Sequence, residues 1–115
     1  MAGLTTHVLD TVHGRPAAGV AIELYQLSPD GGRQLIAEVR TNADGRTDAP
    51  LIQGAQARAG QFELNFHIGD YFRGKGVASP FLDVVPIRFA IADPAAHYHV
   101  PLVATPWSYS TYRGS

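Results

Sequence analysis

The stretch Gln61-Phe62-Glu63-Leu64-Asn65-Phe66-His67-Ile68 decides the fold class. Phe62, Leu64, Phe66 and Ile68 occupy every second position, and Gln61, Glu63, Asn65 and His67 fill the positions between them. In a strand, successive side chains leave opposite faces, so this order gathers the four apolar groups on one side. A helix would scatter the same four around its axis, so the segment reads as a strand with one buried face.

Weaker copies of the pattern lie on both sides. Val20, Ile22 and Leu24 alternate with Ala21, Glu23 and Tyr25, and Leu35, Ala37 and Val39 with Ile36, Glu38 and Arg40. Val85, Ile87, Phe89 and Ile91 form another run, where Pro86 suggests an edge strand or a bulge. Runs at 98–104 and 107–113 meet at Thr105-Pro106, and Leu4, Thr6 and Val8 oppose Thr5, His7 and Leu9 near the start. Turn formers punctuate the runs, as in Ser28-Pro29-Asp30-Gly31-Gly32, Asn42-Ala43-Asp44-Gly45 and Ala92-Asp93-Pro94. Six or more short strands so punctuated predict an antiparallel sandwich or barrel. One short helix is expected over 70–73, capped by Asp70 and ended by Gly74.

Composition agrees with a single domain over 1–115. At 115 residues, a chain buries about two-thirds of its unfolded surface and can build its own core. Nine Lys and Arg balance ten Asp and Glu for a net charge of -1, which argues against nucleic acid as the partner. No apolar run reaches the roughly 20 residues of a membrane helix. With no cysteine, disulfides, thiol nucleophiles and Cys-ligated metals are excluded. Residues 1–6 lack the features of a signal peptide, and Arg113-Gly114-Ser115 is not a peroxisomal address, so the expected location is cytoplasmic.

Five histidines are the candidates for chemistry: His7, His13, His67, His97 and His99. His97 and His99 are two apart on a strand pattern and leave the same face. Such a pair can supply two zinc ligands, but no third is apparent and no His-Glu-x-x-His occurs. His67 lies on the polar side of its strand and is expected to meet solvent; His13 sits in a turn. Gly69 and Gly74-Lys75 have phosphate-loop spacing, but Gly76 stands where Ser or Thr would hold magnesium, so the match reads as chance. Arg46 follows a turn and carries a planar fork suited to a flat anionic ligand. Two Tyr and an Arg among the closing residues suggest an end that docks.

These residues resemble a known family. Leu4-Thr5-Thr6-His7-Val8-Leu9-Asp10 with Gly14-Arg15-Pro16-Ala17 is similar to the opening signature of the transthyretin-related 5-hydroxyisourate hydrolases. Thr41-Asn42-Ala43-Asp44-Gly45-Arg46 resembles that family's central motif. His97-Tyr98-His99-Val100-Pro101-Leu102 and Ser108-Tyr109-Ser110-Thr111-Tyr112-Arg113-Gly114-Ser115 resemble its closing ones. The resemblance implies an all-β, transthyretin-like antiparallel sandwich of about eight strands with one short helix. It also implies a homotetramer, with active sites in the channel between dimers.

The implied activity is hydrolysis of 5-hydroxyisourate to 2-oxo-4-hydroxy-4-carboxy-5-ureidoimidazoline in urate breakdown, without metal or organic cofactor. His7, Arg46, His99 and Ser115 are then the catalytic set, with Tyr112, Arg113 and Gly114 joining His7 and Arg46 around the substrate. His99 is the expected base, since a neutral imidazole takes a proton from water near neutral pH. His7 positions substrate or shares the proton, Arg46 stabilises the developing oxyanion, and Ser115 polarises the water. Tyr112 and Arg113 hold the flat substrate. A non-catalytic carrier of a small aromatic ligand is the alternative, with an edge-strand interaction module behind it.

Overall fold

A computed structural model describes residues 2–114. The chain forms β1 (Gly3–Asp10), β2 (Arg15–Pro16), β3 (Ala21–Leu27) and β4 (Arg33–Arg40). After a 3-10 turn at Gly54–Gln56 come β5 (Gly60–His67), α1 (Ile68–Gly74), β6 (Val84–Ile91), β7 (His97–Ala104) and β8 (Tyr109–Thr111). The strands make two four-stranded sheets, ordered β2-β1-β7-β8 and β4-β3-β5-β6. This is the expected transthyretin-like sandwich.

The core lies between the sheets and centres on β5. Phe62, Leu64 and Phe66 are fully buried. Leu64 sits opposite Leu24 on β3 and Ile87 on β6, and Phe66 opposite Ile22 and Val85. Phe62 stacks on Phe89 with ring centroids 5.9 Å apart. Leu4 and Val8 of β1 and Leu102 of β7 close the core from the other sheet. Each such side chain contributes about 1.5–3 kcal/mol relative to exposure. The outward residues of β5 are less exposed than alternation alone predicts. Glu63 is buried because Arg88 of β6 bonds it at 2.7 Å, and His67 is half-buried, 3.1 Å from Glu23. A central strand has neighbours on both sides whose long side chains cover its outer face.

Two further expectations change. The sandwich is not wholly antiparallel, because β1 and β7 run parallel over eight residue pairs from Gly3↔His97 to Asp10↔Ala104. Alternation dictates which face a side chain takes and is silent about strand direction. The helix starts two residues earlier than expected, at Ile68, and Asp70 does not cap it. Burial of Ile68, Tyr71 and Phe72 pulls the chain into helix at once, and Asp70 instead pairs with Arg73 at 3.0 Å. The same helix occupies the phosphate-like Gly69 to Gly74 segment, so no loop exists there to cradle a phosphate. Pro86 does lie on an edge strand, β6. No helix among the described residues is long and apolar enough to cross a membrane.

Candidate active site

The first strand supplies His7 and Thr5. Burial alternates along β1, with Leu4, Thr6 and Val8 inside and Thr5, His7 and Leu9 partly exposed on the outer face. The parallel register sets Thr5 opposite His99 and Gly3 opposite His97. Both histidines of β7 share that face and converge on one hydroxyl. Thr5 Oγ1 lies 2.8 Å from His99 Nδ1 and 3.1 Å from His97 Nε2.

Arg46 arrives from the turn at 41–46. Thr41 is buried, donating to the Ala17 carbonyl at 2.7 Å and accepting from Val20 N–H at 2.9 Å. Asn42 Oδ1 accepts from the N–H groups of Asp44 (2.9 Å) and Arg46 (3.2 Å). Gly45 closes the turn at φ +74°, where a Cβ would strike the Val8 carbonyl, so glycine is required on both counts. The Gly45 carbonyl in turn accepts from Val8 N–H at 2.8 Å, which pins the turn against β1. Arg46, with Thr5, Thr6 and residues 47–50, then borders a cleft of about 170 Å³. The same turn orients His7, whose Nε2 donates to the Asp44 carbonyl at 2.9 Å. Because a carbonyl only accepts, His7 holds its proton on Nε2 and presents Nδ1.

The closing residues complete the site. Beyond β8, Gly114 N–H donates to the His99 carbonyl at 2.7 Å. A Cβ on Gly114 would lie 2.5 Å from His99 Cδ2, so only glycine lets the chain pass along the imidazole. Arg113 holds this end in place, donating to the His97 carbonyl at 3.0 Å and stacking over the Tyr98 ring at 4.1 Å. Tyr112 is exposed and borders a separate cleft of about 240 Å³ with Arg113, Tyr98 and Ile87, at the open edge of the sandwich. Ser115 lies outside the described residues.

His99 therefore sits among cations and is partly buried. Burial first, then the positive charge of Arg46 and the neighbouring His7 and His97 rings, holds its pKa below the ordinary 6.5. Both influences favour the neutral ring. The structure brings His7, Arg46, His99 and Gly114 close to one another. His67 is not part of the group, and neither is His13, which bonds Asp10 at 2.6 Å. Thr5 was not singled out by sequence reasoning. Its alternation with Leu4 and Thr6 puts it on the face of His7, but nothing local reveals that the partners 92 and 94 residues away are imidazoles.

Comparison with known proteins adds a family to this geometry. The HIUase/Transthyretin family profile matches residues 4–114. A 5-hydroxyisourate hydrolase of Deinococcus radiodurans is 58% identical, the match covering 98% of this chain and 96% of that protein. Among solved structures, the 5-hydroxyisourate hydrolase of Klebsiella pneumoniae superposes with a TM-score of 0.84 at 36% identity, covering all of both chains. Transthyretin from Sparus aurata superposes with a TM-score of 0.89 at 32% identity over 99% of this chain and 97% of that one. With one profile spanning both sheets, the 41–46 turn and the Gly114 contact to His99, the chain belongs to the HIUase/transthyretin family.

Proposed function

We propose that this chain is a 5-hydroxyisourate hydrolase in which His99 is the general base. The observation that carries the mechanism is the convergence of His99, His7, Arg46 and Gly114 at one end of one sheet face. Neutral His99 takes a proton as water attacks a ring amide carbonyl of the substrate. Negative charge then gathers on the carbonyl oxygen, where the Arg46 guanidinium stabilises it more than it stabilises the neutral ground state. As the carbonyl re-forms, the carbon–nitrogen bond breaks, and the nitrogen leaves with the proton that His99 had taken. The ring opens to a carboxylic acid that loses its proton to solvent, giving 2-oxo-4-hydroxy-4-carboxy-5-ureidoimidazoline.

His7 offers Nδ1 to the substrate or shares the proton. Ser115 polarises the water through its hydroxyl. Arg113 spends one of its five donors on the His97 carbonyl and has others for the flat substrate, whereas Tyr112 faces the separate cleft beside Tyr98 and Ile87. The reading needs no metal or organic cofactor.

We place the enzyme in the cytoplasm as a homotetramer with sites between dimers. The exposed side chains of Trp107, Tyr109 and Tyr112 support the assembly, because neighbouring subunits would cover them. The likeness to a transthyretin favours a second reading, a carrier that binds a small aromatic ligand without turning it over. A carrier has no use for a neutral imidazole beside a guanidinium. The deciding experiment follows decay of 5-hydroxyisourate, generated in place by urate oxidase. Acceleration well above the spontaneous rate is expected, and it is lost in His99→Ala and on deleting residues 113–115 while the fold persists. A folded protein without acceleration would put the carrier first.

A further inference from the structure

We infer that Thr5 is a positioning residue that fixes the tautomer of His99 and relays its second proton to His97, an inference that rests on the hydrolase reading above. Thr5 Oγ1 touches His99 Nδ1 at 2.8 Å and His97 Nε2 at 3.1 Å. A hydroxyl has one hydrogen, so it donates to one ring and accepts from the other. In one arrangement, His99 Nδ1–H donates to Thr5 and Thr5 donates to His97 Nε2, which leaves the His99 Nε2 lone pair free. In the other, His97 Nε2–H donates to Thr5, Thr5 donates to His99 Nδ1, and His99 Nε2 carries the hydrogen. Only the first makes His99 a base toward substrate. Nε2 adjoins Cδ2, the atom that Gly114 passes, and has no partner among the described residues.

The relay balances. When His99 Nε2 accepts a proton from water, its Nδ1 proton passes to Thr5 as the Thr5 proton passes to His97 Nε2. The charge then rests on His97, and the exchange runs backward as His99 Nε2 protonates the leaving nitrogen. The other charged groups around the pair are His7 on β1, Arg46 from the 41–46 turn, and Arg113, which bonds the His97 carbonyl.

Two measurements test this. Nitrogen-15 NMR of the substrate-free wild type at neutral pH should show His99 as the Nδ1–H tautomer; the Nε2–H tautomer would overturn the inference whatever the activity. In steady-state assays, Thr5→Val keeps the side-chain shape and removes the hydroxyl. It should lower kcat roughly tenfold or more with little change in KM. Thr5→Ser should restore most of the rate. Thr5→Val at wild-type kcat, or Thr5→Ser no better than Thr5→Val, would refute the relay. A wild type that never accelerates hydrolysis refutes the hydrolase reading instead, and the tautomer result still stands on its own.

Discussion

As the proposed base, His99 has to be unprotonated at working pH and yet basic enough to take a proton from water. Burial and the Arg46 charge meet the first demand by holding its pKa below 6.5. The sign of the pH dependence follows, since the active form is the neutral one. Activity should be full at neutral pH and fall as pH drops through a midpoint below 6.5. Removing the cation in Arg46→Ala lets His99 protonate more readily, so the acid limb should move to higher pH. Loss of the oxyanion partner should also lower kcat by about 100- to 1000-fold. Arg46→Lys keeps the charge and should leave the limb in place while losing part of the rate, because an ammonium lacks the planar fork. A pH–rate profile of the three proteins checks this, and a limb that moves downward in Arg46→Ala would contradict it. Glycine matters at this scale for a steric reason that the letters do not convey. Gly114 reads as a tail residue until the His99 ring is found against it.

Asp10 at the end of β1 ties the elements together. Its carboxylate accepts from Tyr71 Oη at 2.7 Å, from the N–H groups of Val12 (2.9 Å) and His13 (3.0 Å), and from the His13 ring. This joins α1 to the sheet that carries the site. Burial raises the Asp10 pKa, but the bonds from His13 and Tyr71 outweigh it, and the result lies below 3.8. A folded-state pKa below the unfolded one contributes stability that is present above pH 3.8 and lost as pH falls through the folded value. Tyr71→Phe leaves the buried carboxylate one donor short and should cost about 1–3 kcal/mol at pH 7. The variant should also lose less additional stability on acidification, because its Asp10 titrates nearer the ordinary value. Urea melts at pH 7 and pH 3 measure both effects, and equal acid sensitivity in the two proteins would refute the link. The helix illustrates why local signals misplace element ends. Asp70 is a good cap by propensity, yet burial of Ile68 starts the helix first.

Taken as a whole, one chain leaves its site on an open sheet face, with large aromatics exposed around β8. Assembly would cover those aromatics and exclude water from around Arg46, where a lower dielectric strengthens its hold on the oxyanion. For the proposed homotetramer, sedimentation should give four times the chain mass. Specific activity should fall on dilution in step with dissociation. A monomer that retains full activity would remove the tetramer from the mechanism.

The amino-acid sequence by itself determined the strand class, the buried face of β5, the edge position of Pro86 and the family motifs that hold His7, Arg46 and His99. These follow from local rules, since the period of alternation, ring-fixed proline geometry and short motifs act within a few residues. Only the tertiary structure decided the parallel pairing of β1 with β7, the cover over Glu63 and the meeting of Thr5 with two histidines. Those depend on direction and register between strands about 90 residues apart in the chain. Periodicity is the same whichever way a strand runs, whereas packing of the complete core selects one direction and one register.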